Sequence, residues 1–253
     1  MKTKIEWADM VWNPVRGCSL VSAGCENCYA MKQAHRFAGR GKPYEGLTQV
    51  GPHGPRWKGN IRLVPEVLNQ PLKIKKPQKI FVNSISDLFH EDVPDEFIEK
   101  VFNVMWEAKH HTFQVLTKRP QRMLDFLVGS SGCGAGQEPI PNVWLGVSLE
   151  DQKTADERIP LLLQTPAAVR WISAEPLLGP IDVDFDEMDI ALEPDGAGTT
   201  AIQGKIDWVV VGGESGPKAR PMHPDWVRSI RDQCQSAGVP FVDQQWGDGS
   251  LLF

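Results

Sequence analysis

The 253-residue sequence lacks the run of about 18 to 20 apolar residues that a membrane-spanning helix needs, so we expect no contact with a membrane. No hydrophobic segment stands near its start, so we expect no secretory signal and a cytoplasmic location. It contains no Gly-x-Ser-x-Gly elbow, no Walker loop and no G-x-G-x-x-G run, which disfavours a serine hydrolase and a nucleotide-phosphate site. The net charge of −5 does not attract polyanions over the whole surface, although a local basic patch still can.

Cysteine is scarce, with five in the chain, yet three of the five stand within eleven residues. Cys18, Cys25 and Cys28 have the spacing C-x6-C-x2-C, which is unlike a secreted disulfide framework. Three thiolates are one ligand short of a closed structural zinc or iron–sulfur site, and open coordination positions are where metal centres carry out chemistry. The spacing therefore indicates a reactive metal centre, and iron–sulfur suits it best. The isolated Cys133 and Cys234 are interpreted as structural thiols.

Apolar runs that favour strands alternate with amphipathic runs that favour helices. Strands are predicted around 4–7 and at 79–83, 112–117, 143–148, 169–173, 207–212 and 240–243, and helices at 94–110, 120–128, 151–164 and 224–237. Strands that are apolar on both faces and alternate with helices indicate a parallel sheet covered by helices. We therefore predict a single α/β domain over 1–253, a complete or partial (β/α) TIM-like barrel of six or seven parallel strands. A doubly wound open sheet is the alternative, and insertions are expected near 39–60, 129–141 and 182–205.

Polar residues follow most of the predicted strands at their carboxyl ends, where parallel α/β folds bind ligands. They are Asn83, Ser86, Asp87, Lys118, Arg119, Ser148, Ser173, Glu175 and Gln245. Gly212 and Gly213 follow another strand, and paired glycines let the backbone approach a ligand closely. Together these residues predict one polar cavity mouth. For single members, such as Asp87 and Ser148, capping of the following helix is an equally open interpretation.

With the cysteine loop, residues 13–30, placed after a first strand, the layout resembles the radical S-adenosylmethionine (SAM) superfamily. More closely, the chain resembles a family of phage-associated proteins with a three-cysteine motif. The stretches that carry the resemblance span nearly the whole chain: 5–7, 12–14, 17–18, 25–30, 84–90, 116–120, 144–148, 173–177, 211–216 and 245–247. The chain departs from the usual C-x3-C-x2-C spacing of the superfamily in its first gap. Closing a loop that is longer by a few residues costs only about 1 kcal/mol or less.

The resemblance implies a partial barrel in which Cys18, Cys25 and Cys28 hold a [4Fe–4S] cluster and SAM chelates the fourth iron. It implies radical chemistry that requires an electron donor, and the phage association suggests a nucleic acid or nucleotide substrate and a phage-encoded partner protein. Residues expected at the cofactor are Tyr29, Ser173, Gly212, Gly213, Glu214 and Ser215. Those expected at the substrate are Asn83, Ser86, Arg119, Ser148, Arg220 and Gln245, and those expected in catalysis are Glu175, Asp87 and Lys118.

Two basic stretches are candidates for contact with a nucleic acid. In the first, Arg56, Lys58 and Arg62 are interleaved with Trp57, and such a pattern can track phosphates and stack on bases. The second is the lysine run at 73–76. Solvated surface is the other interpretation of both stretches.

Two further functions stay open at the level of the sequence. His35 follows Cys28 by seven residues and would complete a Cys3His zinc site, which predicts a zinc-stabilised binding protein without catalysis. Alternatively, Asp87, Glu175 and Glu214 would surround Mg²⁺ or Mn²⁺ in a hydrolase, but that function leaves the three cysteines unexplained.

Overall fold

Seven parallel strands form the central sheet, in the order in which they follow one another along the chain. They are β1 (Met10–Trp12), β2 (Lys79–Val82), β3 (Thr112–Thr117), β4 (Val143–Ser148), β5 (Val169–Ala174), β6 (Trp208–Gly212) and β7 (Phe241–Gln245). Every neighbouring pair is parallel. The computed structural model describes residues 3, 5–52, 54–129, 139–183, 185, 188–192, 200–216 and 218–245.

In the described part of the chain, five α-helices alternate with these strands. They are α1 (Tyr29–Arg36), α2 (Asp95–Glu107), α3 (Pro120–Val128), α4 (Gln152–Gln164) and α5 (Pro224–Ala237). In the described part of the chain β1 and β7 are the two edges of the sheet and do not pair with each other. The architecture is therefore an α/β partial barrel, which confirms the predicted fold class. Among the described residues no helix is long and apolar enough to cross a membrane.

The two faces of the sheet bury different kinds of side chain. Ile80, Val115 and Val209 belong to the large aliphatic and phenylalanine core that packs against the helices. The other face carries a tryptophan cluster, Trp7, Trp144, Trp171 and Trp208, together with Phe81. The rings of Trp171 and Trp208 stack with centroids 5.1 Å apart, and those of Trp7 and Phe81 meet edge to face at 4.7 Å. Trp144, Trp171 and Trp208 lie in the amino-terminal halves of their strands, so the tryptophan rings fill this face there.

Gly146 in β4 makes the tryptophan cluster possible. A Cβ atom at this position would lie 2.6 Å from the indole ring of Trp171, which is closer than two atoms can pack. The side chain of Trp171 is fully buried over the bare backbone of β4. A glycine inside a strand often marks such a close approach.

The structure differs from the prediction at β1 and in the insertions. The first strand lies at Met10–Trp12 and not around 4–7, because Trp7 packs its ring on Phe81 and Trp171. The insertion near 39–60 contains an antiparallel hairpin, and the one near 182–205 contains another. Their strands are Thr48–Gly51 with Gly54–Trp57, and Met188–Leu192 with Thr200–Gly204. Most of the insertion at 129–141, including Cys133, lies outside the described residues.

Short elements complete the connection from β1 to β2. The two-residue strands Val15–Arg16 and Arg62–Leu63 pair antiparallel. The 3-10 helices are Ala23–Cys25, Pro65–Val67 and Pro71–Lys73. The first of them is part of the cysteine loop.

Candidate functional site

The cysteine loop leaves the carboxyl end of β1 and ends where α1 begins. Gly17 forms a parallel bridge to Ser86, which follows β2, so the loop starts beside the second strand end. Cys18, Cys25 and Cys28 are free and partly buried. The side chains of Cys18 and Cys28 pack against the small hydrophobic core beneath α1.

The three thiols influence one another electrostatically. Burial raises the pKa of Cys18 to about 12, the charge of Asp87 adds to the effect, and Cys28 and Cys25 raise it further. Burial also raises the pKa of Cys28, although backbone N–H groups at the start of α1 oppose this. Cys18 and Cys28, whose pKa values are raised, need a positive centre nearby before they become thiolates. This donor set fits a metal group.

The described residues also bear on a site for a single metal ion. Within the described ranges no group of three His, Cys, Asp or Glu side chains is assembled closely enough to hold one metal ion. Nδ1 of His35 lies 3.0 Å from the hydroxyl oxygen of Thr48. Among the described residues His35 is not grouped with the three thiols as a Cys3His zinc site would require.

A buried carboxylate after β4 anchors the middle of the cysteine loop. Ser22 donates a hydrogen bond of 2.7 Å to Oε1 of Glu150, whose side chain is fully enclosed. Lys118 pairs with the same oxygen, and Arg158 of α4 donates to Oε2 at 3.2 Å. Burial alone would raise the pKa of Glu150, but the charges of Lys118 and Arg158 outweigh it and hold that pKa below its ordinary value. The carboxylate therefore stays ionised.

Gly24 lets the loop reach this carboxylate. A Cβ atom on Gly24 would lie 2.4 Å from Oε1 of Glu150. Any other residue at position 24 would therefore displace either the loop or the side chain of Glu150. Neither Ser22, Gly24 nor Arg158 was among the predicted site residues. Arg158 does carry a signal in the sequence, because it interrupts the apolar stripe of Ala155, Ile159 and Leu162 on α4. A charged side chain on the buried face of a helix needs a buried partner of opposite charge, because an unpaired buried charge is strongly unfavourable.

A second anchor follows β2 and β3. Asp87 accepts hydrogen bonds from the hydroxyl of Thr117 at 2.8 Å and from Nη1 of Arg119 at 3.0 Å. Nη2 of Arg119 donates to the hydroxyl of Ser19 at 2.6 Å, and Nη1 lies 3.9 Å from the sulfur of Cys18. The Asp87–Arg119 pair therefore holds the first cysteine.

A third anchor follows β6. Glu214 is buried and accepts hydrogen bonds from Asn27 at 2.9 Å and from Arg220 at 2.5 Å. Arg220 also donates to the backbone oxygen of Ala23 at 2.8 Å. Burial would raise the pKa of Glu214, but its hydrogen bonds with Arg220 and Asn27 lower it. The loop is thus tied between Cys18 and Cys28 by three ion-paired carboxylates from separate strand ends.

Glu175 after β5 has a different environment. Ser173 donates a hydrogen bond of 2.8 Å to its Oε2, and a Cβ atom on Gly212 would lie 2.5 Å from its Oε1. Burial raises the pKa of Glu175 to about 6. The peptide bond from Glu175 to Pro176 is cis. This carboxyl has no ion pair in the part of the chain that the structure describes.

Asn83 directly after β2 is strained and incompletely bonded. Its φ of 58° lies in the left-handed region, and its side chain is 3% exposed. Oδ1 accepts a weak hydrogen bond of 3.4 Å from the backbone N–H of Val15, while the buried Nδ2 has no partner among the described residues. Tyr29, which is partly exposed, donates to the backbone oxygen of Ser84 in the same turn at 2.6 Å. A buried donor without a partner at a strained residue is a mark of a binding site.

The remaining predicted residues lie at the same end of the sheet. Ser86 donates to the backbone oxygen of Val15 at 2.8 Å, and the backbone oxygen of Ser148 accepts from Arg158. Gly213 and Ser215 follow β6. Gln245 ends β7, but its side chain and Trp246 lie outside the described part.

The comparisons with known proteins give a family without an assigned activity. The family described as "Protein of unknown function (DUF5131)" matches residues 2–251. The chain belongs to this family. No curated protein matches the sequence. The resemblance to phage-associated three-cysteine proteins finds no test in these comparisons and stays a prediction.

Among solved structures, this DUF5131 protein is similar to spore photoproduct lyases. One, a double mutant with bound AdoMet and dinucleoside spore photoproduct, has 13% identity and a TM-score of 0.48, over 92% of this chain and 54% of that one. A second, a single mutant, has 10% identity and a TM-score of 0.49, over 95% of this chain and 79% of that one. A third, complexed with dinucleoside spore photoproduct, has 11% identity and a TM-score of 0.42, over 87% of this chain and 58% of that one. The chain thus spans about half the length of the first of these proteins.

Proposed function

We propose that this chain is a radical-SAM-type iron–sulfur enzyme in which Cys18, Cys25 and Cys28 bind a [4Fe–4S] cluster. The observation that carries the proposal is the set of three free, mutually interacting thiols on a loop that three ion pairs fix to the carboxyl end of a partial barrel. Three cysteine ligands leave one iron open for SAM. When bound, the cluster and SAM supply one-electron chemistry that removes a hydrogen atom from a substrate.

The residues without strong internal partners are the best candidates to contact SAM and substrate. Glu175, with its pKa near 6, can hold or release a proton close to neutral pH, so we assign it the catalytic role. The free Nδ2 of Asn83 is placed to donate a hydrogen bond to a ligand. Gly212 keeps the backbone open beside Glu175, and Tyr29 stands next to the last cysteine. These residues would orient the ligands and exclude water.

The ion-paired residues are better suited to positioning the cysteine loop than to contact with substrate. Asp87, Lys118 and Glu214 were predicted at the catalytic and cofactor sites, but each is engaged in an ion pair. The hydrogen bonds from Arg220 and Asn27 hold the pKa of Glu214 below its ordinary value, which makes that carboxylate a poor proton acceptor near neutral pH. We therefore propose that these residues, with Arg119 and Arg220, hold the loop.

Anaerobic reconstitution with iron and sulfide tests the proposal directly. We expect four irons per chain and an electron paramagnetic resonance spectrum of the reduced protein that changes when SAM is added. Cys18→Ala should lose this spectrum, whereas Cys234→Ala, which removes the buried thiol on α5, should keep it. Stoichiometric zinc without iron after reconstitution would overturn the proposal in favour of the zinc-stabilised binding protein.

The hydrolase alternative has less support. Asp87 and Glu214 each face an arginine, and no carboxylate group in the described ranges is assembled to hold a cation. An electron donor is required by the proposed chemistry. A nucleic acid or nucleotide substrate, a phage-encoded partner and a cytoplasmic location remain predictions from the sequence.

A further inference from the structure

The charge of the chain is divided unevenly between one small region and the rest. The α1 lobe, which we define as residues 29–62, has seven Lys and Arg residues and one acidic residue, a net charge of +6. The other 219 residues have 20 Lys and Arg and 31 Asp and Glu, a net charge of −11. This acidic protein therefore carries one strongly basic region, and such a region attracts polyanions locally.

The α1 lobe is a folded unit that adjoins the cysteines. It has its own core, made of Ala30, Met31, Ala34, Tyr44, Leu47 and Trp57, against which Cys18 and Cys28 pack. Backbone hydrogen bonds join its parts, from Tyr44 to Phe37 at 3.0 Å and from Lys58 to Leu47 at 3.1 Å. Its cations are therefore displayed on one body next to the proposed cluster.

Most cations of the α1 lobe face solvent without an acidic partner. Arg36, Arg40, Lys42 and Lys58 are exposed, and no carboxylate of the described residues lies within ion-pair distance of them. Phe37, which stands between the first two, is 52% exposed. Exposed cations next to an exposed aromatic ring are the combination that binds phosphates and stacks on bases.

We propose that the α1 lobe binds the backbone of a nucleic acid, with Arg36, Arg40 and Lys42 on phosphates and Phe37 on a base. Lys32 extends the basic surface toward the carboxyl end of the sheet. Its Nζ lies beside Gly216, which follows β6, only 3.0 Å from where a Cβ atom on that glycine would stand. A strand held on the lobe is thereby led to the carboxyl end of the sheet. Delivery of a substrate rests on the proposed function, whereas binding by the lobe does not.

Fluorescence anisotropy with a labelled, mixed-sequence oligonucleotide of about 20 nucleotides, single-stranded and duplex, tests the proposal. The test variant is Arg36→Glu with Arg40→Glu and Lys42→Glu. The control, Lys73→Glu with Lys75→Glu and Lys76→Glu, changes the charge equally on exposed residues just before β2, at the opposite end of the sheet. We expect about a hundredfold weaker binding for the test variant and little change for the control. Each lost phosphate contact should reduce the salt dependence, the slope of log K on log salt, by about 0.7 for a single strand.

Three results would overturn the proposal: no binding at about 50 mM salt, equal weakening in both triple variants, or binding to phosphatidylserine vesicles with none to the oligonucleotides. Circular dichroism of both variants controls for folding. The same titration with Cys18→Ala separates the two proposals. Cys18→Ala should bind the oligonucleotide as the wild type does, because binding by the lobe does not need the cluster. Oligonucleotide binding by a wild-type protein that takes up no iron on reconstitution would leave the α1 lobe as a nucleic-acid surface and remove the radical function. A loaded cluster without oligonucleotide binding does the reverse.

Discussion

Four carboxylates stand at the same end of the sheet, but their partners differ. Asp87, Glu150 and Glu214 each have a hydrogen-bonded Lys or Arg, whereas the described contacts of Glu175 include the hydroxyl of Ser173 and no ion pair. Burial opposes ionisation of Glu150 but the charges of Lys118 and Arg158 prevail, while burial raises the pKa of Glu175 to about 6. The difference teaches that the position of a carboxylate at the end of a strand does not determine its role. Its partner decides whether it holds a loop or remains able to exchange a proton.

Among the ion-paired carboxylates, we expect Glu150→Gln to lower the free energy of unfolding most. It leaves the buried Arg158 and the partly buried Lys118 without an anion, and breaking a buried ion pair costs about 3 to 5 kcal/mol. Urea denaturation monitored by tryptophan fluorescence measures the loss. The matched control is Glu157→Gln, on the exposed side of the same helix, where a change within about 0.5 kcal/mol is expected. Equal effects of the two variants would contradict the anchoring role.

Gly24→Ala should cause the next largest loss of stability. The added Cβ collides with Glu150, so the loop must move, and overpacking of this kind costs about 1 to 3 kcal/mol. We expect a lowered midpoint of denaturation and reduced iron incorporation on reconstitution. Gly39→Ala is the control, because its Cβ meets only the side chain of Lys42 at 3.8 Å. Normal iron content in Gly24→Ala would show that the contact with Glu150 does not position the cysteines.

Glu175→Gln sharpens the comparison through pH. Since the folded-state pKa of Glu175 is raised, the folded protein binds the proton more tightly, and this stability is present below about pH 4.5 and lost as pH rises through about 6. The size is about 2 kcal/mol at most. The difference in free energy of unfolding between wild type and Glu175→Gln, measured from pH 4 to 7, should therefore fall as pH rises. A pH-independent difference would argue against a raised pKa.

Asn83→Gly should have the smallest effect on stability. Glycine accepts the φ of 58° without strain and removes only one weak hydrogen bond, so a loss below about 1 kcal/mol is expected. If Nδ2 donates to SAM, the dissociation constant for SAM should rise about tenfold in isothermal titration. Asn83→Ala, which strains the backbone, is the variant for comparison and should lose more stability. Unchanged SAM affinity in Asn83→Gly would remove Asn83 from the ligand site.

The fold was largely predictable because its signals are local. Prolines at the first helical position mark the starts of α3 and α5, and both helices have the predicted bounds. The first strand was misplaced because β1 has only three residues and because the ring of Trp7 fills the interior beside the sheet. A single apolar residue near the start of the sequence does not indicate whether it belongs to a strand or packs beside the sheet.

The site was predictable only in part. The spacing of the three cysteines identified the loop, but its anchors are contacts between residues far apart in sequence. Ser22 and Glu150 are separated by 128 positions, and Asn27 and Glu214 by 187. Such contacts depend on the register of the sheet and on the packing of helices, which no short motif encodes. The need for glycine at position 24 is visible only once Glu150 is in place.

The long separation of these anchors has a consequence for the order in which the molecule is built. The loop that carries the cysteines is made early in synthesis, yet it acquires its shape from residues that follow it by 100 to 197 positions. Contacts at such distances form late, because the intervening chain must first be ordered. We therefore expect the barrel to assemble before the cysteines are fixed in place. A cluster would then be inserted into a nearly complete protein and would serve as the final step of its maturation, not as the nucleus of its folding.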